Sequence, residues 1–332
     1  MQAFEEKDEL ARIFQRMRRI TPNGIIILMK SFYTTYYRFY KPEQRENKIL
    51  LLSDVHFNDR ISASLKAILR RAEADEPSLI IIAGDLIDDQ NTIDTTAERA
   101  RLKSWLEHLG AIAPVCICLG NHDYFRHDAE HGRIFTETSA LSDLITDIPN
   151  VYLLDNVKFE NENHFIFGFT LPPNYYGDNT YECHEQLDIL KERLDAIKDR
   201  FAKLPAKKTK IFVAHSPLFL TDPAVQEVLA GFDFIVAGHM HNGAVPPVLQ
   251  DFWRARTGLV TPSKEFFKKY NSRIGLYGDK LITLGAITTI QPETKFFGHL
   301  SGLFPTYIAE LAIGHNTADE RKPDIKSKYE RW

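Results

Sequence analysis

The sequence predicts an α/β fold, and three observations lead to that prediction. Five short apolar runs have the length and the residue types of buried strands. Helical stretches separate the first three runs, so strand and helix alternate as they do in sheets with parallel strands. The second half of the chain is richer in strand-like segments than in helices. The five runs are KILLLS (48–53), SLIIIAG (78–84), PVCICLG (114–120), KIFVAHS (210–216) and FDFIVAG (232–238).

The remaining elements follow from periodicity and turn chemistry. Helices are predicted over residues 61–74, 95–109 and 181–204. Residues 151–169 are instead predicted to form consecutive antiparallel strands with a polar turn at Asn161–Asn163. Residues 278–287 add a late strand, and 244–277, with their proline pair, are expected to form a loop or small lid beside the active face.

We predict one catalytic domain, residues 48–315, between an N-terminal extension (1–47) and a polar C-terminal tail (316–332). The tail is expected to be an exposed arm. In the extension, residues 4–19 have apolar positions at near-helical spacing and predict an amphipathic helix. Residues 24–41 are rich in aromatic side chains, which favours an edge strand or a packed arm. The alternative is a segment that touches a membrane surface or a partner.

Composition limits the function classes. The 332 residues are 44% hydrophobic and 26% charged, which is ordinary for a globular protein with a sizeable core. A net charge of −4 supplies no general attraction to nucleic acid, so a nucleic-acid partner is not expected. No run approaches the roughly 20 apolar residues of a membrane helix, and the acidic N-terminus is unlike a secretory signal. The three cysteines, Cys116, Cys118 and Cys183, are expected to be reduced thiols. We therefore expect a cytoplasmic location, with peripheral membrane contact through 24–41 as the open alternative.

Metal-ligand residue types follow each of the five apolar runs, always at the C-terminal end. Because the carboxyl ends of strands in an open α/β sheet form the ligand-binding edge, these side chains are expected to meet there. Within a block, residues two apart point the same way in an extended chain. The blocks are Ser-Asp-Val-His (53–56), Gly-Asp (84–85), Gly-Asn-His-Asp (120–123), the single His215, and Gly-His-Met-His (238–241).

These residue types indicate two divalent cations and no thiolate ligand. Two such metals, about 3.5–4 Å apart, stabilise the attacking and leaving oxygens of a displacement at phosphorus. A single motif of this kind more often has a structural role than a metal-binding one. Five such motifs in order, each after a predicted strand, favour metal binding. Of the twelve histidines, His127 and His131 follow the Asn-His-Asp turn closely enough to line the same cleft. The candidate ligands are Asp54, His56, Asp85, Asn121, His215, His239 and His241.

The five blocks resemble the signature of the calcineurin-like metallophosphoesterase superfamily: Asp-x-His, Gly-Asp, Gly-Asn-His-Asp/Glu, a single His and Gly-His-x-His. All five are present in order over residues 54–241. The resemblance implies a four-layer α/β/β/α sandwich with a dinuclear site at the strand ends. It implies that one metal is held by Asp54, His56, Asp85 and His241, and that Asp85 bridges to a second metal held by Asn121, His215 and His239.

The resemblance also implies roles for the residues after Asn121 and a branch of the superfamily. His122 matches the proton donor or transition-state contact, and Asp123 matches the acidic residue that orients it. Protein Ser/Thr phosphatases continue the Gly-Asp block with Asp-Arg-Gly, whereas GDLIDDQN here lacks the arginine. The late GHMHNG…PP…GLYG run is more similar to the bacterial YkuE/YaeI-like phosphoesterases, many of which carry an N-terminal membrane anchor.

We therefore expect a metal-dependent phosphoesterase that favours a phosphodiester or a lipid-linked phosphate. A hydroxide that bridges the metals would attack phosphorus in line, and His122 would assist the leaving group. Manganese is the first expectation, and Fe, Zn, Ni or Co also suit the ligands. The alternatives are a nuclease, a phosphomonoesterase, or a non-catalytic scaffold, which is disfavoured because no ligand is missing. Substrate contacts are expected from Asn58–Arg60, Tyr124–His131, Tyr175–Tyr176 and 244–277.

Overall fold

A computed structural model describes residues 31–40, 47–58, 61–176, 184–245, 274–287, 306–314 and 323–331. Two sheets, of seven and six strands, account for most of the strands, and a separate hairpin forms a third, two-stranded sheet. The predicted helix over 4–19, most of 244–277 and Cys183 lie outside the described residues.

The strands, in chain order, are β1 (Ser31–Tyr40), β2 (Asn47–Leu52), β3 (Leu79–Ala83), β4 (Val115–Cys118), β5 (Phe125–Asp128), β6 (Gly132–Phe135), β7 (Val151–Leu153), β8 (Lys158–Glu160), β9 (His164–Gly168), β10 (Thr209–Val213), β11 (Phe234–Ala237), β12 (Gly275–Tyr277), β13 (Leu281–Thr283), β14 (Thr306–Gly314) and β15 (Asp324–Arg331). The helices are α1 (Ser62–Asp75), α2 (Thr96–Ile112), α3 (Leu141–Ile145), α4 (His184–Asp195), α5 (Lys198–Ala202), α6 (Pro217–Leu220) and α7 (Pro223–Val228).

The first sheet has the strand order β15-β1-β14-β2-β3-β4-β7. Strands β2, β3, β4 and β7 run parallel to one another, and β14 is antiparallel to β2. The second sheet has the order β12-β13-β11-β10-β9-β8, with a parallel centre and an antiparallel strand at each edge. The parallel strands of both sheets carry the predicted ligand blocks at their carboxyl ends.

Three hydrophobic clusters separate four layers. In β3, Ile80 and Ile82 face α1 and α2, whereas Leu79 and Ile81 face the second sheet. In β10, Phe212 packs with α4 and α7 on the far side of that sheet. Strands buried on both faces are apolar at every position, which explains why these runs show no polar alternation. The expected four-layer α/β/β/α sandwich is confirmed.

Two expectations for the middle of the chain need correction. The predicted helix over 181–204 is, from residue 184 onward, two helices, α4 and α5. Strands β8 and β9 form the predicted antiparallel pair around residues 161–163. The first strand of that segment, β7, instead joins the other sheet, parallel to β4. The chain crosses between the sheets after Leu153, so three consecutive antiparallel strands do not form.

The two ends of the chain meet in the first sheet. Strand β1 lies between β14 and β15, with Ser31 opposite Arg331 and Arg38 opposite Asp324. Residues 324–331 of the expected exposed arm form strand β15 on the free edge of β1, and the side chains of 325–329 are exposed. The division into extension, catalytic domain and tail stays a prediction.

The described part of the aromatic segment is a packed strand. In β1, Tyr37 has 0% of its surface exposed and Phe32 has 3%, so these rings lie in the protein interior. This packing favours the strand alternative over membrane contact for residues 31–40. Among the described residues, no helix combines the length and apolar character needed to cross a membrane.

Candidate metal centre

The seven candidate ligands come from the carboxyl ends of five central strands. Asp54 and His56 follow β2, Asp85 follows β3, and Asn121 follows β4. From the second sheet, His215 follows β10, and His239 and His241 follow β11. Because the two sheets stack face to face, the ligand edges of both meet at one place.

One group of four side chains joins both sheets. The ligand atoms of Asp54, His56, Asp85 and His241 all lie within 4.8 Å of one another. His241 Nε2 is 3.0 Å from Asp54 Oδ1, and His56 Nε2 is 3.9 Å from Asp85 Oδ2. The structure therefore brings together the four residues expected to hold one metal.

A second group shares one carboxylate with the first. Asp85, His215 and His239 also place their ligand atoms within 4.8 Å of one another. His215 Nε2 lies 3.0 Å from Asp85 Oδ2, the oxygen that also faces His56. Asp85 is thus the side chain common to both groups, as a bridging ligand must be.

Each of these side chains is held by one atom and presents another to the centre. Asp54 Oδ2 accepts hydrogen bonds from the Ser53 hydroxyl (2.6 Å) and the His239 main-chain N–H (3.0 Å). His215 Nδ1 donates to the Ala83 carbonyl at 2.6 Å. Four buried atoms of the candidate ligands have no conventional hydrogen bond: Asp54 Oδ1, Asp85 Oδ2, Asn121 Oδ1 and His215 Nε2. His215 Nε2 lies 3.0 Å from Asp85 Oδ2 and 3.7 Å from Asp54 Oδ1, so three of the four atoms gather at one place. Unpaired buried polar atoms are costly, and a divalent cation would satisfy them, so the residues present fit two such ions.

The electrostatics of the cluster also favour cations. Burial would raise the pKa of Asp54, but the imidazoles of His241 and His215 outweigh it and lower that pKa. Burial lowers the pKa of His215, but the charges of Asp85 and Asp54 raise it to about 9. Burial lowers the pKa of His239 to about 3 and that of His56 well below its usual value. Two carboxylates thus attract positive charge, and two imidazoles are neutral, the form that binds metal.

Backbone strain is concentrated at the same residues. Nine described residues other than glycine have a positive φ, and five of them are candidate ligands. Such left-handed conformations cost about 1–3 kcal/mol each and persist where function requires them. Each lets the chain leave its strand sharply while the side chain turns into the centre. The five are Asp54 (φ 50°), His56 (φ 45°), Asp85 (φ 53°), His239 (φ 67°) and His241 (φ 48°).

Two glycines make room for this arrangement. A Cβ atom on Gly120 would overlap the Asp85 carboxylate and press on the His215 ring. A Cβ atom on Gly238 would overlap the Ser53 hydroxyl and press on the Asp54 carboxylate. Glycine is therefore required at both positions for the ligands to approach one another.

His122 lies at the open side of the cluster, with 12% of its side chain exposed. Its ring packs edge-on against His56, with 4.5 Å between the ring centroids. His122 Nδ1 lies 2.6 Å from the Asp88 carbonyl oxygen, to which it donates. The Asp88 carboxylate is 3.7 Å from the same nitrogen and 3.6 Å from His56 Nδ1. The motif pattern assigned no role to Asp88, although its place three residues after Asp85 in the same loop was a usable signal.

A family model described as calcineurin-like phosphoesterase matches residues 47–243, which contain the whole cluster. The chain belongs to this family. It is 23% identical over 211 residues to an uncharacterised metallophosphoesterase of Campylobacter jejuni, covering 62% of this chain and 47% of that protein. The chain thus spans about half the length of that relative.

Two solved structures are distantly similar to this chain. A phosphopantetheinyl hydrolase from Mycobacterium tuberculosis is 16% identical, with a TM-score of 0.39, over 73% of this chain and 90% of the other. A dimetal phosphatase from Danio rerio is 13% identical, with a TM-score of 0.39, over 75% and 90%. Likenesses this low carry no information about substrate.

In this calcineurin-like phosphoesterase, the Asp123 carboxylate bonds main-chain groups, and its expected role in orienting His122 stays a prediction. Its buried carboxylate accepts main-chain N–H groups from Gly120 (2.8 Å), Asp85 (3.0 Å) and Ile87 (3.1 Å). Burial and the charge of Asp85 raise the pKa of Asp123 to about 7. The His122 ring donates to the Asp88 carbonyl, and Asp123 ties the loop after β3 to the loop after β4.

The other predicted contact regions have different outcomes. Tyr176 packs beside the second group, with ring centroids 5.6 Å from His215 and 5.3 Å from His239. Its carbonyl oxygen lies 3.2 Å from His239 Nε2, which leaves His239 Nδ1 for the centre. His131 is 72% exposed and bonds Asp128, so it is not part of the cluster. His127 lies on β5, in the hairpin beside His122.

Proposed function

We propose that this calcineurin-like phosphoesterase hydrolyses a phosphoester with the help of two divalent cations, and that a phosphodiester is its preferred substrate. The observation that carries the proposal is the pair of buried ligand groups that share Asp85, beside the partly exposed His122, whose ring packs against His56. A centre that holds two cations next to an accessible imidazole has the parts that phosphoester hydrolysis requires.

The two groups of side chains divide the cations between them. When bound, the two cations would supply positive charge for the phosphoryl oxygens and lower the pKa of the attacking water. The donors are carboxylate, amide and imidazole, so manganese is the first candidate, and Fe, Zn, Ni or Co also suit them. The first cation would be held by Asp54, His56, Asp85 and His241, and the second by Asp85, Asn121, His215 and His239.

His122 would donate a proton to the departing oxygen. Burial lowers the pKa of His122 in the absence of substrate, so the donor role requires the negative charge of the bound phosphoester. The Asp88 carboxylate, 3.7 Å from His122 Nδ1, would further stabilise the imidazolium. Asp88 would thus position and charge His122, and Asp123 would position the Asp85 loop.

A diester is favoured on charge. The Gly-Asp block has no arginine after it and continues instead with Asp88 and Asp89. A carboxylate beside His122 disfavours a second negative charge on the substrate, and a phosphodiester carries only one. Assignment to the YkuE/YaeI-like branch, and a lipid-linked form of the diester, are parts of the same proposal and rest on the motifs alone.

The test compares bis-p-nitrophenyl phosphate with p-nitrophenyl phosphate. The full chain is stripped with chelator and reloaded with Mn²⁺, and bound metal is counted. His122→Ala is assayed beside His131→Ala, a matched control because His131 is exposed and outside the cluster. We expect Mn²⁺-dependent turnover of the diester, a loss of about 10²–10⁴-fold in His122→Ala, and none in His131→Ala.

The outcomes separate the parts of the proposal. Turnover of the monoester alone would overturn the diester preference. Loss of metal in His122→Ala, or full turnover by that variant, would overturn the role of His122. If the protein binds two metals and hydrolyses neither ester, the proposal of hydrolysis is overturned and a non-catalytic scaffold is favoured.

A further inference from the structure

A cationic side chain lies beside His122 and has no role in the reaction as described so far. Directly after the His122–Tyr124 turn, the chain forms the hairpin of β5 and β6. Its register pairs Phe125 with Phe135 and His127 with Arg133. The hairpin therefore begins at the proposed proton donor and returns Arg133 toward it.

The hairpin presents two different faces. Because side chains alternate along a strand, Phe125 and Arg133 share one face, and Arg126 lies on the other. The guanidinium of Arg133 stacks on the Phe125 ring, 3.6 Å from its centroid. The Phe125 ring in turn packs edge-on against His122, with centroids 5.2 Å apart. Stacking on a ring that touches His122 limits the freedom of the guanidinium.

Arg133 approaches an imidazole nitrogen that is already engaged. One Arg133 Nη atom is 2.8 Å from His122 Nδ1 and 3.4 Å from His122 Nε2. Since His122 Nδ1 donates its proton to the Asp88 carbonyl, it has no lone pair to accept a guanidinium N–H. The short contact is therefore not a strong hydrogen bond in this tautomer.

Arg133 also lacks a carboxylate partner within the part of the chain that the structure describes. The contrast is Arg126, which forms an ion pair with Asp94 at 2.7 Å. An exposed arginine that is held by an aromatic ring, beside a catalytic imidazole and without a counter-ion, is suited to an anionic ligand. Guanidinium groups match the geometry of phosphate oxygens.

We propose that Arg133 contacts an anionic phosphoryl oxygen of the substrate, next to the leaving group that His122 protonates. The inference rests on the proposed function, because it concerns the same substrate at the same site. Protein Ser/Thr phosphatases have an arginine shortly after the residue that matches Asp85, and this chain does not. Arg133 on the hairpin supplies a guanidinium group in its place. A single guanidinium matches the single negative charge of a phosphodiester.

The experiment measures binding of inorganic phosphate as well as turnover. Calorimetric titration of the Mn²⁺-loaded chain with phosphate is compared for wild type, Arg133→Met, Arg133→Lys and the control Arg126→Met. We expect Arg133→Met to raise the phosphate Kd and the diester KM about tenfold, with a smaller change in kcat. Arg133→Lys should lie between, because it keeps the charge and loses the planar fork. Arg126→Met should match wild type, and all variants should hold the same number of metals.

Several results would overturn this role. An Arg133→Met protein with wild-type phosphate Kd and KM has no such contact. A lower kcat with unchanged phosphate Kd would mean that Arg133 acts only by positioning His122. A wild-type protein that holds its metals and binds no phosphate would also contradict the contact. If no ester is hydrolysed while phosphate binding still depends on Arg133, the proposed function fails and the anion contact stands.

Discussion

Replacing Asp123 with asparagine tests whether the hydrogen bonds of this carboxylate stabilise the loops that carry the metal ligands. The Asp123 carboxylate is fully buried and accepts three main-chain N–H groups. Its Oδ2 atom accepts from Gly120 and Asp85, and its Oδ1 atom accepts from Ile87. These bonds fix the strained turn at Asp85, whose φ is 53°, in front of the two groups of ligands.

The expected cost follows from counting donors. An asparagine amide oxygen in place of Oδ2 keeps two of the three bonds, but its NH2 group then faces the Ile87 N–H. One buried donor left without an acceptor costs about 1–3 kcal/mol of unfolding free energy. Asp123→Ala leaves all three donors unpaired, so its cost should be larger, on the order of 4 kcal/mol.

The assay combines urea unfolding with metal counting. We expect Asp123→Asn to lower the unfolding midpoint of the metal-free chain, and to weaken metal binding about tenfold because the Asp85 turn relaxes. The limb of the pH profile that reports His122 should stay in place in the fully loaded variant, because the His122 ring bonds the Asp88 carbonyl and the Asp123 carboxylate bonds main-chain N–H groups. The matched comparison is Asp143→Asn, because Asp143 lies on α3 and belongs to neither group of ligands.

One result would refute this reasoning. If Asp123→Asn had wild-type stability and metal affinity and instead shifted the limb of the pH profile that reports His122, Asp123 would orient His122, as the family resemblance implied. The main-chain bonds would then be incidental to the centre.

Three further predictions concern one glycine at the site and two side chains elsewhere in the fold. Gly238→Ala should weaken metal binding at least about tenfold, because the new Cβ overlaps Ser53 and displaces the carboxylate behind it; metal titration measures this. Burial lowers the pKa of His164 to about 4, below its usual 6.5, so only the unfolded chain binds this proton between those values. Stability from this group is therefore complete above pH 6.5 and falls by about 3 kcal/mol as pH drops to 4, which urea midpoints across pH would record. Arg71→Met should cost about 2 kcal/mol in urea unfolding, because Arg71 bonds Glu330 of β15 at 2.6 Å.

Each of these has a control in the chain. Gly275→Ala, at the start of β12, places its Cβ 4.0 Å from the Tyr277 ring, an ordinary contact, and should leave metal binding unchanged. His164→Gln should flatten the pH dependence between 6.5 and 4, and an unchanged slope would contradict the assignment. Lys103→Met removes an exposed pair with Glu107 and should cost at most about 0.5 kcal/mol. Equal losses for Arg71→Met and Lys103→Met would show that the β15 contact stabilises nothing.

Most of the candidate metal ligands could be predicted from short segments of the sequence, for a physical reason. Strand β3 is apolar at every position because both of its faces are buried, and the run ends where Gly84 and Asp85 leave the sheet. Ligand residue types at such ends are near in sequence to the strand that positions them. The family model and the clustered side chains then support the inference of a dinuclear site, without identifying the metal.

The roles of Asp123, Asp88 and Arg133 were not readable in this way. Asp123 is next to His122 in sequence, yet its partners are three main-chain donors in two separate loops. Arg133 reaches His122 only because a hairpin folds back on itself. Sequence proximity indicates neither relationship, since side-chain direction depends on turns whose geometry the motif does not contain.

The amino-acid sequence by itself determined the alternation of buried strands and helices, the ligand types at the strand ends and the family. Each of these depends on residue order within a short segment, where burial and backbone period leave few choices. Only the tertiary structure decided that β7 joins the first sheet and that β15 pairs with β1 across the chain. Strand pairing depends on which edge is free once the rest of the sheet has formed, and local pattern carries no information about that edge.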